Sequence, residues 1–343
     1  MYNDVMDYDM LYVRSRIISS VRSFFDEHGF LETLTPALSP NLIPECSLEV
    51  FKTLLSPPRG AARGGAIPYY LTPSPEIWMK KLIAMHKKSI YQVCSSFRNC
   101  EPSSPLHNNE FTMLEYYAMD AGYKDVLALT EELFDYLICK NKKNLLRFLG
   151  EAELKQAAPP FIRITMEEAF MRYAGFSLKN AIEKKELKKE ALRLGLNIDE
   201  GVKDADVYNL IFIHAVESAL PKEKPVALID YPAIVKTLAA LAPQSGGVFC
   251  ERWELYVRGV EAVNCYSEET SPIAARRYFE EEGAEKQRTA VVPHKIDPDY
   301  WRIFEGFPRC SGAAAGLDRI IAAFTGKKSI KAALPFPMPM EEF

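Results

Sequence analysis

The stretch YQVCSSFRNCEPSSPLHNNEFTMLEYY, residues 91–117, decides the fold of this chain. Two runs rich in aromatic and β-branched residues, YQVCSSFR and EFTMLEYY, flank a connector rich in Pro, Ser and Asn. This pattern predicts two antiparallel strands joined by a long loop. Because side chains alternate between the two faces of a strand, one face carries four residues of the second run. They are Phe111, Met113, Glu115 and Tyr117. A plain core would not accept Glu115, since burying a carboxylate without a partner is costly.

The composition bounds the class of protein. The chain has 343 residues, 48% hydrophobic and 26% charged, which is typical of a globular protein, and we expect one large domain over residues 1–343. No apolar run approaches the ~20 residues of a membrane span, and the N-terminus lacks the features of a signal peptide. We therefore expect a cytoplasmic protein outside the membrane. The seven cysteines form no CxxC pair, which argues against a zinc site, and a net charge of −4 gives no bulk case for nucleic-acid binding.

The connector end of the hairpin carries Arg98, His107 and Phe111. A guanidinium and an imidazole can hold phosphates, and an aromatic ring can stack on a base, so these residues are suited to a nucleotide. The order FRN, HNxEFTMLE and Tyr is more specific. It resembles motif 2 of the class II aminoacyl-tRNA synthetases, most closely the lysyl-tRNA synthetase branch. The resemblance implies an α+β fold, with an antiparallel sheet flanked by helices, and ATP and Mg²⁺ as cofactors.

Two carboxylates follow in ERWELYVRGVEAVNCYSEET, residues 251–270. A turn near Gly259 is needed to bring Glu254 and Glu261 together. Such a pair suits Mg²⁺, which takes oxygen ligands and shares them with substrate phosphates. The plainer alternative is a pair of salt bridges to Arg252 and Arg258. The resemblance to the lysyl branch implies that the two glutamates hold the metal. It also implies a lysine pocket that includes Asn264, Tyr266 and Glu268.

Small residues precede a helical pattern in CSGAAAGLDRIIAAFTG, residues 310–326. The pattern predicts a small-residue turn that runs into an amphipathic helix, with Arg319 just inside it. Alone, this signal usually means close packing. In order with the other stretches it resembles motif 3, where Arg319 lies along the ATP triphosphate. A helical stripe from Leu11 to Gly29, followed by a strand broken at Pro36, resembles motif 1 and implies a homodimer.

Another helix start lies in TPSPEIWMKKLIAM, residues 72–85. Ser74 is the predicted cap, Pro75 the first helical residue, and Glu76 falls in the first turn. Glu76 then either complements the helix dipole or, as the resemblance implies, binds the α-amino group of an amino acid. The implied substrate pocket takes Ser74 and Glu76 together with Glu115 and Tyr117.

The resemblance implies a first half-reaction in which a lysine carboxylate attacks the α-phosphorus of ATP. Catalysis then comes from positioning and charge. Arg98 and Arg319 are the implied catalytic residues. Arg98 lies on the α-phosphate, while Arg319 and His107 lie on the departing phosphates. Glu268 and Tyr117 hold the side-chain ammonium of the bound lysine.

Two departures from the family pattern matter. Family members read FRNE and HNPEF where this chain reads FRNCE and HNNEF. Either Cys100 is an insertion and Glu101 still reads the adenine amino group, or adenine recognition has shifted. In addition, the motif 1 helix begins close to Met1, so we expect no N-terminal OB-fold domain that binds an anticodon. A stand-alone core of this kind resembles the elongation factor P lysine ligase family. That resemblance implies elongation factor P as the acceptor protein, lysine or β-lysine as the substrate, and no tRNA.

Ala314 bears on which lysine is used. Lysyl-tRNA synthetases usually carry glycine at this place in motif 3, and the extra methyl group favours an amino group on the β carbon, hence (R)-β-lysine. Alternatively, Ala314 is one more small packing residue. Two other functions stay open, a minimal lysyl-tRNA synthetase and a non-catalytic nucleotide-binding paralogue that regulates translation. The Arg/Gly-rich loop at 55–68 and the charged run at 178–196 most simply contact solvent.

Overall fold

A computed structural model of the chain describes residues 7–56, 65–101 and 104–338, so most of the Arg/Gly-rich loop lies outside the described residues. A small sheet contains β2 (Leu38–Ser39), β3 (Lys52–Leu55) and β4 (Ile67–Leu71). The central sheet contains β1 (Leu31–Glu32), β5 (Ile90–Phe97), β6 (Glu110–Met119), β7 (Ile162–Thr165), β8 (Val226–Ile229), β9 (Arg252–Val257), β10 (Val260–Ser267) and β11 (Cys310–Gly316). Its strand order is β1-β5-β6-β11-β10-β9-β8-β7, antiparallel except for the parallel pair at each edge.

The predicted hairpin is formed by β5 and β6, which pair in antiparallel register from Ile90 opposite Tyr117 to Phe97 opposite Glu110. β6 also pairs with β11, so the hairpin lies inside the sheet. Alternation along β6 places Tyr116 in the core on one face of the sheet and Tyr117 in the core on the other. The predicted α+β arrangement, a largely antiparallel sheet flanked by helices, is confirmed.

Helices cover both faces of this sheet. They are α1 (Tyr8–Glu27), α2 (Glu76–His86), α3 (Tyr123–Leu145), α4 (Glu151–Leu154), α5 (Met166–Ala169), α6 (Leu178–Glu183), α7 (Leu187–Arg193), α8 (Asp204–Ile211), α9 (Pro272–Thr289) and α10 (Leu317–Phe324). α1, α3 and α10 share a core with residues such as Tyr91 and Val263. α2 and α9 pack on the opposite face, around Met79 and Phe279. No helix in the described part of the chain has the length and apolar character needed to cross a membrane.

Two local predictions were wrong. Residues 310–316 form the strand β11 rather than a turn, because β6 and β10 supply hydrogen-bonding partners on both sides. Tertiary context here overrides the low strand propensity of Gly and Ala. Ser74 makes no capping hydrogen bond to α2 among the described residues. The helix begins at Glu76, because the Pro75 carbonyl already accepts a hydrogen bond from the Trp78 amide and makes Pro75 the cap.

Candidate active site

The central strands carry predicted site residues in two neighbouring rows that run across the sheet. In the first row Tyr117 pairs with Gly312, which pairs with Tyr266 on its other side. The second row reads, from strand to strand, Glu115, Ala314, Asn264 and Glu254. The register of the sheet thus brings three separate stretches of sequence side by side.

A cavity of about 770 Å³ opens above these rows. Its lining includes the predicted residues Ser74, Glu76, Arg98, Glu115, Tyr117, Asn264, Tyr266, Glu268 and Ala314. The other predicted residues form a second group beside the cavity, which contains five titratable side chains and one aromatic ring. They are Glu101, His107, Phe111, Glu254, Glu261 and Arg319. Arg98 connects the two groups, because it lines the cavity and also lies over the Phe111 ring.

Tyrosine hydroxyls hold two carboxylates at the acidic end of the cavity. The Tyr117 hydroxyl donates to Glu115 Oε1 at 2.7 Å, and the Tyr266 hydroxyl donates to Glu76 Oε1 at 2.7 Å. Glu115 Oε2 and Glu268 Oε1 are buried and have no hydrogen-bond partner among the described residues. Buried acceptors left unpaired are costly, so this end of the cavity is suited to the ammonium groups of a ligand.

Burial makes Glu268 and Glu115 weaker acids than an exposed glutamate. Desolvation raises the pKa of Glu268 to about 7, although the charge of Lys80 opposes the shift. Desolvation, followed by the charge of Glu76, raises the pKa of Glu115 well above its ordinary value. A bound ammonium group favours the ionised carboxylates, so a cationic ligand would reverse part of both shifts.

The nucleotide end of the site combines a guanidinium, a ring and an imidazole. The Arg98 guanidinium lies 5.1 Å from the centroid of the Phe111 ring, and its buried Nε lacks a hydrogen-bond partner within the described residues. His107 Nε2 lies 3.6 Å from a Glu101 carboxylate oxygen. Desolvation and the charge of Arg319 lower the pKa of His107, so this imidazole is mostly neutral at pH 7. A stacked arginine with an open donor is suited to a phosphate group.

Cys100 marks the departure from the family pattern in the hairpin connector. It is exposed and has a φ of 54°, in the left-handed region that most residues avoid. A left-handed residue turns the backbone at this point, which is compatible with an insertion at Cys100. Because residues 102 and 103 lie outside the described residues, the role of Glu101 in reading adenine stays a prediction.

The predicted turn brings the two carboxylates of the acidic strands together. Arg258 and Gly259, with φ values of 54° and 79°, connect β9 to β10. Desolvation and then the charge of Glu254 raise the pKa of Glu261, which reflects two carboxylates close to each other. Glu261 Oε2 also lies 3.7 Å from an Arg319 nitrogen.

The alternative interpretation of the two glutamates, salt bridges to Arg252 and Arg258, holds for Arg252 but not for Arg258. Arg252 contacts Glu254 Oε1 at 2.6 Å, whereas Arg258 donates to Gln156 and to backbone carbonyls. Two tyrosine hydroxyls, those of Tyr231 and Tyr256, occupy Glu254 Oε2. Glu254 Oε1 keeps a second lone pair, and Glu261 remains open to a cation. These oxygens fit Mg²⁺, which needs only one or two carboxylates when substrate phosphates complete its shell. The described residues hold no group of three or more His, Cys, Asp or Glu side chains suited to a metal.

The comparison with known proteins agrees with this geometry. The family model described as tRNA synthetases class II (D, K and N) matches residues 3–340. The chain belongs to this class II synthetase family. A lysine–tRNA ligase of Moorella thermoacetica is 31% identical over 332 residues, which cover 96% of this class II synthetase chain and 65% of that relative.

Other relatives match over most of their length. An elongation factor P–(R)-β-lysine ligase of Edwardsiella ictaluri is 34% identical over 311 residues, 90% of this chain and 88% of the relative. One of Vibrio vulnificus is 33% identical over 336 residues, 97% of this chain and 96% of the relative. The predicted family, the class II synthetase fold and the prediction of an ATP-dependent ligase are confirmed.

An ion pair that the sequence did not predict connects the three motifs of this class II synthetase. Arg14, in the motif 1 helix, donates to Asp318 Oδ1 at 2.5 Å. The amide of Thr112, in the motif 2 strand, donates to Asp318 Oδ2 at 2.6 Å. Asp318 itself begins the motif 3 helix, where its sequence position suggests only a residue that complements the helix dipole.

Two lining residues of the cavity, Glu45 and Gly312, and Lys80 behind the lining were also not predicted from the sequence. Glu45 lines the cavity, and desolvation together with the charge of Glu76 raises its pKa to about 7. No feature of the sequence around Glu45 indicated this role. Gly312, in the first row, lies so close to its neighbour that a β-carbon there would meet the Tyr117 ring at 2.4 Å. Lys80 had a sequence signal, its position four residues after Glu76 on a helix.

Proposed function

We propose that this class II synthetase activates lysine, by preference (R)-β-lysine, as an aminoacyl-adenylate and transfers it to a lysine side chain of elongation factor P. The observation that carries the proposal is the cavity, with Glu76, Glu115 and Glu268 at one end and the Arg98–Phe111 pair at the other. A substrate with two ammonium groups fits the first end, and ATP fits the second. The printed names of the elongation factor P ligases among the relatives support both the substrate and the acceptor.

In the first half-reaction the carboxylate of the lysine attacks the α-phosphorus of ATP, and pyrophosphate leaves. No side chain acts as a nucleophile. Arg98 orients the α-phosphate and neutralises charge that develops on it, while Arg319 and His107 contact the departing phosphates. Glu254 and Glu261 would hold Mg²⁺, which supplies charge neutralisation on the phosphate oxygens when bound.

In the second half-reaction an acceptor amine attacks the carbonyl carbon of the adenylate. The bond from that carbon to the phosphate oxygen breaks, AMP leaves, and an amide bond forms. The attacking lysine must be neutral, so it gives up one proton before the attack and a second one as the amide forms. The two ammonium groups of the bound substrate stay on the acidic residues through both steps.

The proposed quaternary state is a homodimer. Large apolar side chains are exposed along the motif 1 strand and the small sheet: Leu31, Leu34, Leu38, Leu54, Leu55 and Ile67. Exposed apolar groups of this kind mark an interaction surface. In the related synthetases this motif builds the dimer interface, which is the resemblance that supports the proposal.

The test offers both acceptors side by side. Purified protein, ATP and labelled lysine or (R)-β-lysine are incubated with elongation factor P in one tube and with tRNA-Lys in another, at physiological salt. We expect the label on elongation factor P and little on tRNA, and a stronger signal with (R)-β-lysine. A factor whose acceptor lysine is changed to alanine is the matched control. Efficient charging of tRNA would favour a minimal lysyl-tRNA synthetase, and a folded protein without any exchange of pyrophosphate would favour the non-catalytic paralogue.

A further inference from the structure

An internal lysine is part of the acidic network. Lys80, on α2, is 0% exposed. Its Nζ lies 2.5 Å from Glu76 Oε1 and 2.8 Å from Glu268 Oε2. It also donates to the Tyr266 hydroxyl at 3.3 Å. The wall of the pocket that is proposed to bind the ammonium groups of a substrate therefore already holds one ammonium group of the protein, behind the lining residues Glu76, Tyr266 and Glu268.

The charges of this network can be counted. Glu76, Glu115 and Glu268 carry three negative charges when ionised, and Lys80 carries one positive charge, which leaves −2. A lysine substrate brings two ammonium groups, so the count matches a doubly charged amine. Glu45 also lines the cavity, and the charges of Glu76, Arg98 and Lys80 all act on it; this count treats Arg98 as its counterion.

Lys80 also leaves the correct oxygens free. Its ion pair with Glu268 is to Oε2, while Glu268 Oε1 and Glu115 Oε2 have neither an ion pair nor a hydrogen bond among the described residues. Desolvation would lower the pKa of Lys80, but the charges of Glu268 and Glu76 overcome it and raise the pKa above its ordinary value. Lys80 is therefore charged at every physiological pH. The proximity of this charge opposes the rise in the pKa of Glu268 and so favours its ionised form.

We propose that Lys80 is a positioning residue, whose charge favours the ionised form of the carboxylate beside it and leaves a net charge of −2 when a bound ligand holds all three glutamates ionised, so that the site selects doubly charged amines. This inference rests on the proposed function for the identity of the substrate. Lys80 contacts no reacting atom. Removal of Lys80 has two opposing effects on binding. It removes a positive charge that repels the ammonium groups of the substrate, and it allows the carboxylates that attract them to become protonated. The second effect prevails because a buried site with three carboxylates and no counterion takes up a proton near pH 7.

The sign of the pH dependence follows from this balance. The pKa of Glu268 is about 7 while Lys80 opposes the rise. Without Lys80 this pKa moves higher, and binding of an ammonium group then requires a higher pH. The other titratable groups that face the network are Glu45, Tyr117, Tyr266, Tyr278, Tyr300 and Cys310. Burial raises the pKa of each of these hydroxyl and thiol groups, so Glu45 alone of this set titrates near pH 7.

The test measures binding directly, by isothermal titration calorimetry of L-lysine, (R)-β-lysine and L-norleucine, which lacks the second ammonium group. Lys80→Met should lose at least tenfold in affinity for the preferred lysine at pH 7 and should keep its weak affinity for norleucine. Its lysine affinity should recover between pH 7 and pH 9, while that of the wild type levels off earlier. Lys88→Met, at an exposed lysine just after the same helix, is the matched control and should behave as the wild type.

The outcomes separate this inference from the proposed function. A folded Lys80→Met protein with wild-type lysine affinity and pH profile would overturn the inference. If lysine affinity differs between the wild type and Lys80→Met as expected, but the wild type catalyses no pyrophosphate exchange, only the proposed function is overturned. If Lys80→Met does not fold, the double variant Lys80→Met, Glu268→Gln removes the uncompensated buried charge. It should fold and lose the part of the pH dependence that Lys80→Met adds to the wild type between pH 7 and pH 9, and persistence of that added part would overturn the inference.

Discussion

At the scale of single residues, the nucleotide end of the site depends on two side chains of opposite charge. Arg98 presents a buried Nε without a hydrogen-bond partner in the described structure, and Glu261 faces Glu254 with a raised pKa. A buried donor without a partner and two neighbouring carboxylates each raise the free energy of the folded protein, and a bound ligand of opposite charge lowers it again. Their arrangement is therefore better explained by substrate and metal binding than by stability.

Arg98→Ala and Glu261→Ala should each lower lysine-dependent ATP–pyrophosphate exchange by at least a hundredfold. Removal of one group that stabilises transition-state charge costs about 3 kcal/mol. The circular dichroism spectrum should stay that of the wild type. Arg302→Ala, at an exposed arginine paired with Asp299, is the control and should leave the rate unchanged. An exchange rate of either site variant within about threefold of the wild type, under 1 kcal/mol, would contradict the assignment.

Ala314→Gly should shift the substrate preference from (R)-β-lysine toward L-lysine. Ala314 pairs with Glu115 on one side and Asn264 on the other, so its methyl group lies in the floor of the pocket. A misplaced methyl group is worth about 1–3 kcal/mol of discrimination in a tight pocket. The measurement is the ratio of kcat/KM for the two lysines in pyrophosphate exchange. Ala315→Gly, one residue on and in the core of the opposite face, is the control, and equal ratios in all three proteins would assign the preference elsewhere.

At the scale of elements, one buried contact fixes the three motifs relative to each other. Asp318 at the start of α10 binds Arg14 of α1 and the Thr112 amide of β6. Desolvation raises the pKa of Asp318, while the guanidinium of Arg14 opposes the rise. Because Arg319 is the next residue, the same contact also sets where that side chain begins.

Asp318→Ala should lower the free energy of unfolding by about 3–5 kcal/mol, since it leaves a buried arginine without its counterion. Urea denaturation followed by circular dichroism measures this loss. The control is Asp9→Ala, on the helix α1 that also carries Arg14; it breaks an exposed pair with Arg147 and should cost less than about 1 kcal/mol. Similar losses in both variants would mean that the buried pair has no special role in joining the motifs.

At the scale of the whole molecule, the exposed apolar surface near motif 1 is the surface that the proposed homodimer would bury. Leu34 is 90% exposed, the most of any large apolar side chain in this region. The chain's extent as one catalytic domain, the absence of an anticodon-binding domain and the cytoplasmic location stay predictions.

Leu34→Glu should convert the proposed homodimer to a monomer, because a charge at a buried apolar interface is costly. Sedimentation velocity of the wild type and the variant measures the change. Leu192→Glu, on the exposed side of α7, is the control for a charge added to a surface leucine and should leave the dimer intact. A wild-type monomer, or a dimer that tolerates the Leu34 variant, would contradict the proposed interface.

The sequence by itself determined the β5–β6 hairpin and the pair of carboxylates around the turn at Gly259. These features depend on alternation, turn chemistry and spacing, which are local properties. The family followed from them, because its motifs are short and keep their order. Tertiary structure alone decided that residues 310–316 form a strand and that Lys80 pairs with Glu268 as well as with Glu76. Lys80 and Tyr266 are 186 residues apart in the chain, and desolvation of a charge depends on which distant segments pack around it.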